Sequence, residues 1–251
     1  MGIRGLFVGI NQYATQPLKG CVNDATAIRE WIKTRSGTDE AELRLLTDAQ
    51  GTRQAIIDGL TWLAQPLNDG KPELRVFHFA GHGIQQPDTD GDEPDGSDEC
   101  LVPVDYQTAG VLSDDELRKL YDGFGNSQIL LLMDCCHSGT ISKDLDAIKI
   151  DDLRERFIPP SARDLSAIAA AKASYRHNEV QKIADVLNVV RNREMNQEQL
   201  FNIAEMVLNS VQKQGFGNPA SHDNVVLISA CKPEQTAADA NFGGIYHGAL
   251  T

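Results

Sequence analysis

The 251-residue chain carries 36 acidic against 23 basic residues, a formal net charge of −13, with 41% hydrophobic and 24% charged residues. This is the composition of a globular chain with enough apolar material for one large core, and its negative field repels nucleic acid and anionic membranes while favouring cationic partners. No apolar run reaches the roughly 20 residues of a bilayer span, and the start Met1-Gly2-Ile3-Arg4 has neither a signal-peptide core nor a myristoylation serine or threonine, so a cytoplasmic location is expected.

Along the chain, strand and helix patterns alternate. Leu6-Phe7-Val8-Gly9-Ile10 reads as a first strand, and Asn23 or Asp24 as the N-cap of a helix with Ala25, Ile28, Trp31 and Ile32 on one face. Ala41 to Leu46 predicts a second strand, after which Thr52 caps a helix with the stripe Ile56, Leu60, Leu63 and Leu67. A third strand runs from Leu74 into Ala80, an acidic loop and the short Leu101-Val102-Pro103 segment follow, and Ser113 to Glu116 forms a capping box. The fourth strand spans Gln128 to Met133, and Val225 to Cys231 forms a further one. Strands separated by helices in this way predict a mostly parallel sheet covered on both faces, an α/β fold. Residues 1–251 are read as one domain with a helical insertion at about 140–219, marked by Pro159-Pro160, an Ala-rich stretch and helical patterns near 178–190 and 196–212. The insertion is rich in Lys143, Lys149, Arg154, Arg156, Arg163, Lys172 and Arg176, a target for a basic-specific protease wherever it is exposed. The last residues, Gly248 to Thr251, read as the opening of a helix, so a truncated or processed fragment is expected.

His82 and Cys136 each lie just past a strongly apolar run, in Phe79-Ala80-Gly81-His82-Gly83 and Asp134-Cys135-Cys136-His137-Ser138-Gly139. Ligands of parallel sheets sit beyond the carboxyl ends of the strands, and a thiol and an imidazole meeting there form a nucleophile and base pair. Cys136 follows His82 at about the 50-residue spacing found between base and nucleophile in caspases, and Gly139 offers a backbone amide close to a developing oxyanion. The five cysteines, at 21, 100, 135, 136 and 231, form no disulfide framework. Adjacent Cys135 and Cys136 would point to opposite sides of an extended strand end, which makes one of them a packing residue.

Two groups of carboxylates stand out. Asp24 serves as a helix cap on local grounds; if it instead faces the cleft edge with Asp134, the two select a cationic Arg or Lys side chain. The run Asp88 to Glu99 reads either as a solvated acidic loop or as a hard-cation site suited to calcium. Glu93 stands where an EF-hand needs glycine and Pro94 follows it, which excludes that geometry and leaves calcium bound in another.

Taken together, Leu6 to Tyr13, Leu18 to Asp24, Phe79 to Gly83, Asp95 to Asp105, Leu112 to Leu117, Asp134 to Gly139, Ile228 to Cys231 and Gln235 to Ala238 resemble a metacaspase, in the family's order and over nearly the whole chain outside the insertion. The resemblance implies a caspase-like fold and a cysteine endopeptidase that cleaves after Arg or Lys through a Cys-His dyad, acting on peptides or proteins as a monomer. By motif, Cys136 matches the nucleophile and His82 the base, while Asp24, Asp134 and Cys21 fall in the basic-residue pocket. Ala80 stands where that pocket usually has serine, so recognition would lean on the two carboxylates. The family's activating Ca2+ site corresponds to Asp98, Asp114 and Asp115, with Asp144 as a looser fourth match, and its self-processing region to Lys143 through Arg176. Two other readings compete: a non-catalytic caspase-like interaction or signalling module, and a zinc site at His82, Cys135, Cys136 and His137, whose adjacent cysteines lack the usual Cys-x2-4-Cys spacing.

Overall fold

The computed structural model describes residues 2–67, 73–91, 93, 95–125, 127–135, 154–192, 225–230, 238–242 and 245–248. Its elements run β1 (Gly2–Gly9), α1 (Cys21–Ser36), β2 (Leu43–Thr47), α2 (Arg53–Ala64), β3 (Glu73–Ala80), β4 (Gly83–Pro87), β5 (Ser97–Leu101), α3 (Tyr106–Ala109), β6 (Leu112–Ser113), α4 (Asp114–Tyr121), β7 (Gln128–Asp134), β8 (Arg154–Glu155), α5 (Ala162–Asn192), β9 (Val225–Ser229), β10 (Ala238–Phe242) and β11 (Ile245–His247). Contacts group the chain into two units, residues 1–85, 99–159 and 219–251 in one and residues 86–98 and 160–218 in the other.

The first unit is built on a five-stranded sheet ordered β2-β1-β3-β7-β9, in which every neighbouring pair is parallel. Successive residues of a strand face opposite sides, and β1 shows the consequence. Phe7 joins Ala25 and Ile32 of α1 in one core cluster, while Leu6 lies against Gly59 of α2. The two helices therefore cover opposite faces, as an α/β fold requires. Short antiparallel elements surround this sheet: β10 pairs with both β11 and β8, and β5 with β6.

Local signals explain most boundaries. Thr52 Oγ1 accepts the Ala55 N–H at 3.2 Å and caps α2, and the Ser113–Glu116 capping box opens α4. The start of α1 differs from expectation. The helix begins at Cys21 rather than after Asn23 or Asp24, because Asn11 caps it from a distance: its Oδ1 accepts the Cys21 N–H at 2.9 Å. Asp24 is thereby released from capping and lies inside the first turn. The α2 helix stops at Ala64, so Leu67 falls outside its stripe. Trp31 departs from the buried face as well, at 62% exposure, beside an apolar groove of about 720 Å³ lined by Ile28, Leu74, Leu130 and Ile228, among others.

In the second unit, α5 is one helix of 31 residues, merging the Ala-rich stretch with the pattern near 178–190; the pattern near 196–212 lies outside the described residues. Ser161 and Asp164 exchange hydrogen bonds at its start, a capping pair that follows Pro159-Pro160. Among the described residues, no helix is long and apolar enough to cross a membrane.

Candidate active site

The site begins with strand register. β3 and β7 pair in parallel with Ala80 opposite Asp134, so the chain reaches His82 two residues past one member of that pair and Cys136 two residues past the other. Neighbouring strands lie about 4.8 Å apart, so the two strand ends lie side by side. Cys136 and Asp144 lie outside the described residues. Cys135 is buried and in no disulfide, as are Cys21 and Cys100.

His82 is fully buried and held from several directions. Its backbone N–H donates to Tyr13 Oη at 3.1 Å, and its C=O accepts the Val102 N–H at 3.0 Å. Tyr13 Oη donates in turn to Val102 O at 2.8 Å, and its ring centroid lies 4.6 Å from the imidazole. Burial, and next the neighbouring Cys21, push the Tyr13 hydroxyl well above its usual range, so its proton stays on that bond. Gly81 makes this approach possible: a Cβ there would stand 2.5 Å from Tyr13 Oη.

The imidazole Nε2 lies 2.7 Å from the main-chain oxygen of Gln16. A carbonyl can only accept, so Nε2 carries the proton and the neutral ring keeps its lone pair on Nδ1. Gln16 itself has φ 55°, a left-handed conformation unusual for a residue with a Cβ. Strain of this kind gathers where surrounding structure fixes a functional geometry. No sequence pattern marks this contact, because every residue type has the same carbonyl. Tyr13 was within a recognisable segment, but nothing in its spacing reveals a bond to the backbone of a residue far along the chain.

Asp24 and Asp134 come together, as the pocket expectation requires, and both are fully buried. Between them lies the guanidinium of Arg156, also fully buried. Its Nη2 pairs with Asp24 Oδ2, while Nη1 lies 2.9 Å from Asp134 Oδ1 and donates to the Asp134 carbonyl at 3.0 Å. Asp24 also accepts from the Gly248 N–H at 2.9 Å and contacts His247 Nδ1 at 2.9 Å. Two carboxylates in low-dielectric surroundings need a cation with several donors, and the planar guanidinium fork matches that geometry. Cys21 is buried at the start of α1, and Ala80 is buried beside Asp134 in the ladder. His78, buried on β3, has its pKa pushed down to about 3, chiefly by burial, with Asp24 opposing and Arg156 reinforcing the shift.

In the acidic hairpin, carboxylates accept from the hairpin's own main chain. Asp88 accepts the N–H groups of Asp90, Gly91 and Glu93 at 3.0, 2.7 and 3.2 Å, and Asp95 accepts from Ser97. Of the four proposed calcium ligands, Asp114 is buried in the first turn of α4, Asp115 pairs with Arg118 one turn on, and Asp98 is half-buried on β5. Among the described residues, no group of three or more His, Cys, Asp or Glu side chains is arranged to hold a metal ion.

A parallel five-stranded sheet, with Gly-His-Gly ending one central strand and Asp-Cys-Cys ending its neighbour, defines the caspase-like class of α/β folds. A sequence profile described as "Metacaspase, peptidase C14 domain" matches residues 3–145, and the chain belongs to that family. Similar proteins include Metacaspase-1 of Yarrowia lipolytica, 32% identical over 99% of this chain and 53% of the relative, and Metacaspase-1 of Schizosaccharomyces pombe, 31% identical over 99% and 58%. The chain thus spans little more than half the length of these curated relatives. A crystal structure of a protein from Geobacter sulfurreducens is similar at a TM-score of 0.57 and 25% identity, over 99% of this chain and 78% of that one.

Proposed function

We propose that the chain is a calcium-assisted cysteine endopeptidase that hydrolyses peptide bonds after Arg or Lys through the dyad Cys136 and His82. The observation that supports this most is the buried pair Asp24 and Asp134 closed on a guanidinium, a chemistry that an Arg or Lys side chain of a substrate would satisfy in the same way. In this reading the Cys136 sulfur attacks the carbonyl carbon of the basic residue, and the thiol proton passes to the Nδ1 lone pair of His82. In the same reading the Gly83 N–H, next to the base, donates to the carbonyl oxygen as charge develops on it, once it is free of the Arg156 carbonyl it serves in this structure. Collapse of the tetrahedral species breaks the C–N bond, and the imidazolium returns its proton to the leaving amine. Water then attacks the acyl-enzyme, giving up a proton through the same nitrogen, and the C–S bond breaks to restore the thiol. The Gln16 carbonyl holds Nε2–H throughout, which fixes the tautomer that can take a proton.

Calcium belongs to this proposal through Asp98, Asp114, Asp115 and Asp144, as an activator rather than a reactant. Self-cleavage within residues 140–180 belongs to it as well. The test is a panel of peptides differing only at the residue before the scissile bond, run with calcium and with chelator on the wild-type chain and on Cys136→Ala. Arg and Lys peptides should be cleaved at least about a hundredfold faster than Ala or Asp peptides, because a neutral or acidic side chain leaves buried carboxylates uncompensated. Chelator should slow the reaction and added calcium restore it, while Cys136→Ala should abolish it. Equal cleavage after Asp, or a fully active Cys136→Ala, overturns the reading.

A further inference from the structure

Arg156 does more than neutralise two acids. Its carbonyl oxygen accepts the Gly83 N–H at 3.0 Å, and two residues further on the Ile158 N–H donates back to Gly83 O at 2.9 Å. Phe157 forms a parallel bridge with Gly83. The strap is secured on its other side by β8, where Arg154 pairs with Asp239 and Glu155 with Ala238 of β10, and Arg154 Nη1 donates to Pro17 O at 2.7 Å. The residue whose side chain fills the carboxylate pocket therefore also presents its carbonyl to the amide that follows the base. Side chain and main chain of one residue thus engage both the carboxylate pair and the amide beside His82.

The closure is tight. A Cβ on Gly248 would stand 2.5 to 2.6 Å from the guanidinium, so the main chain lies flush on it, and the Gly248 N–H fixes Asp24 at the same point. His82, Asp24, Asp134 and Arg156 are all fully buried. A peptide's arginine cannot reach the two carboxylates while Arg156 remains, and the Gly83 amide cannot serve a substrate carbonyl while it serves that of Arg156.

We propose that residues 154–158 are an internal pseudosubstrate, with Arg156 as the resident occupant of the cation pocket, so that this fold is a self-blocked form that opens when the strap leaves. The inference rests on the pocket assignment made under the proposed function and adds the regulation of that pocket. The competing role is purely structural: a permanent counter-ion without which the site collapses.

The two roles separate in steady-state kinetics of the 251-residue chain on a short Arg peptide. Arg156→Ala removes the occupant. Arg154→Ala removes the tether to Pro17 and leaves the buried carboxylates their cation, so it tests the strap even where Arg156→Ala fails to fold by circular dichroism. The pseudosubstrate predicts a kcat/KM at least about tenfold above wild type in Arg156→Ala, and a smaller rise carried by a lower KM in Arg154→Ala, since removing a competing occupant raises the open fraction. Folded variants with kcat/KM unchanged or lower overturn the pseudosubstrate while leaving cleavage after Arg intact. Failure of every folded variant and of the wild type to cleave Arg or Lys peptides instead removes the proposed function, and this inference with it.

Discussion

Asp24 and Asp134 are buried and share one guanidinium, whereas Asp88 and Asp95 in the acidic hairpin turn their carboxylates onto their own main chain. The hairpin has the greater density of acids, yet its charges have local partners: backbone N–H groups at a tight turn. The buried pair lies away from solvent, and beside the Gly248 N–H that Asp24 accepts it is held by a cation delivered from elsewhere in the chain. Scarcity of alternatives, rather than the number of carboxylates, sets the buried pair apart.

That contrast can be broken by measurement. The largest stability effect should come from Asp24→Asn, which leaves Arg156 with one carboxylate and withdraws the charge that the Gly248 amide faces; breaking a buried pair on one side costs about 3 kcal/mol. Denaturant titration at neutral pH reads it, and a loss no greater than that of a hairpin variant would erase the distinction between the regions.

A middle effect reports on the electrostatics beside the pair. His78 is held neutral, with a folded pKa of about 3 caused mainly by burial, while an unfolded histidine titrates near 6.5. The unfolded chain therefore binds the extra proton first. The stability this ring permits is complete above about pH 6.5 and drains away as pH falls toward 3, amounting to about 2 kcal/mol lost by pH 5. His78→Phe should remove that part of the pH dependence, seen as a flatter stability curve between pH 7 and 5. A curve as steep as that of the wild type would place the acid sensitivity elsewhere.

The smallest effect belongs to the hairpin. Asp88→Ala frees three turn amides that water can reach, so a loss of about 1 kcal/mol is expected in the same titration. A loss matching that of Asp24→Asn would show that the turn is as dependent on its acid as the pocket.

Much of the sheet could be read directly from the sequence. Apolar runs at Leu6, Leu74 and Gln128 became central strands because a parallel strand buried on both faces has few polar positions. Thr52 and Ser113 marked helix starts because their caps are local. Failures came where a partner is distant. The start of α1 is set by Asn11, so Asp24 looked like a cap. Trp31 fits an apolar stripe by period but lies where neighbouring elements leave a groove. The site divides the same way. His82, Asp24 and Asp134 stand in motifs with short-range signatures, but Arg156 looked like one of many basic residues in an exposed insertion, and its burial depends on a return path that no local pattern encodes. His247 meets Asp24 for the same non-local reason.

The contact between His82 and Gln16 bears on how this arrangement is inherited. The atom that aims the imidazole belongs to the peptide bond, so replacing the Gln16 side chain leaves it in place. What encodes it is the length and path of the connection from Asn11 to Cys21, pinned at both ends by the Asn11 amide group. Alanine scanning passes over such a part, because every amino acid brings its own copy; only a change in the number of links between those anchors can take it away.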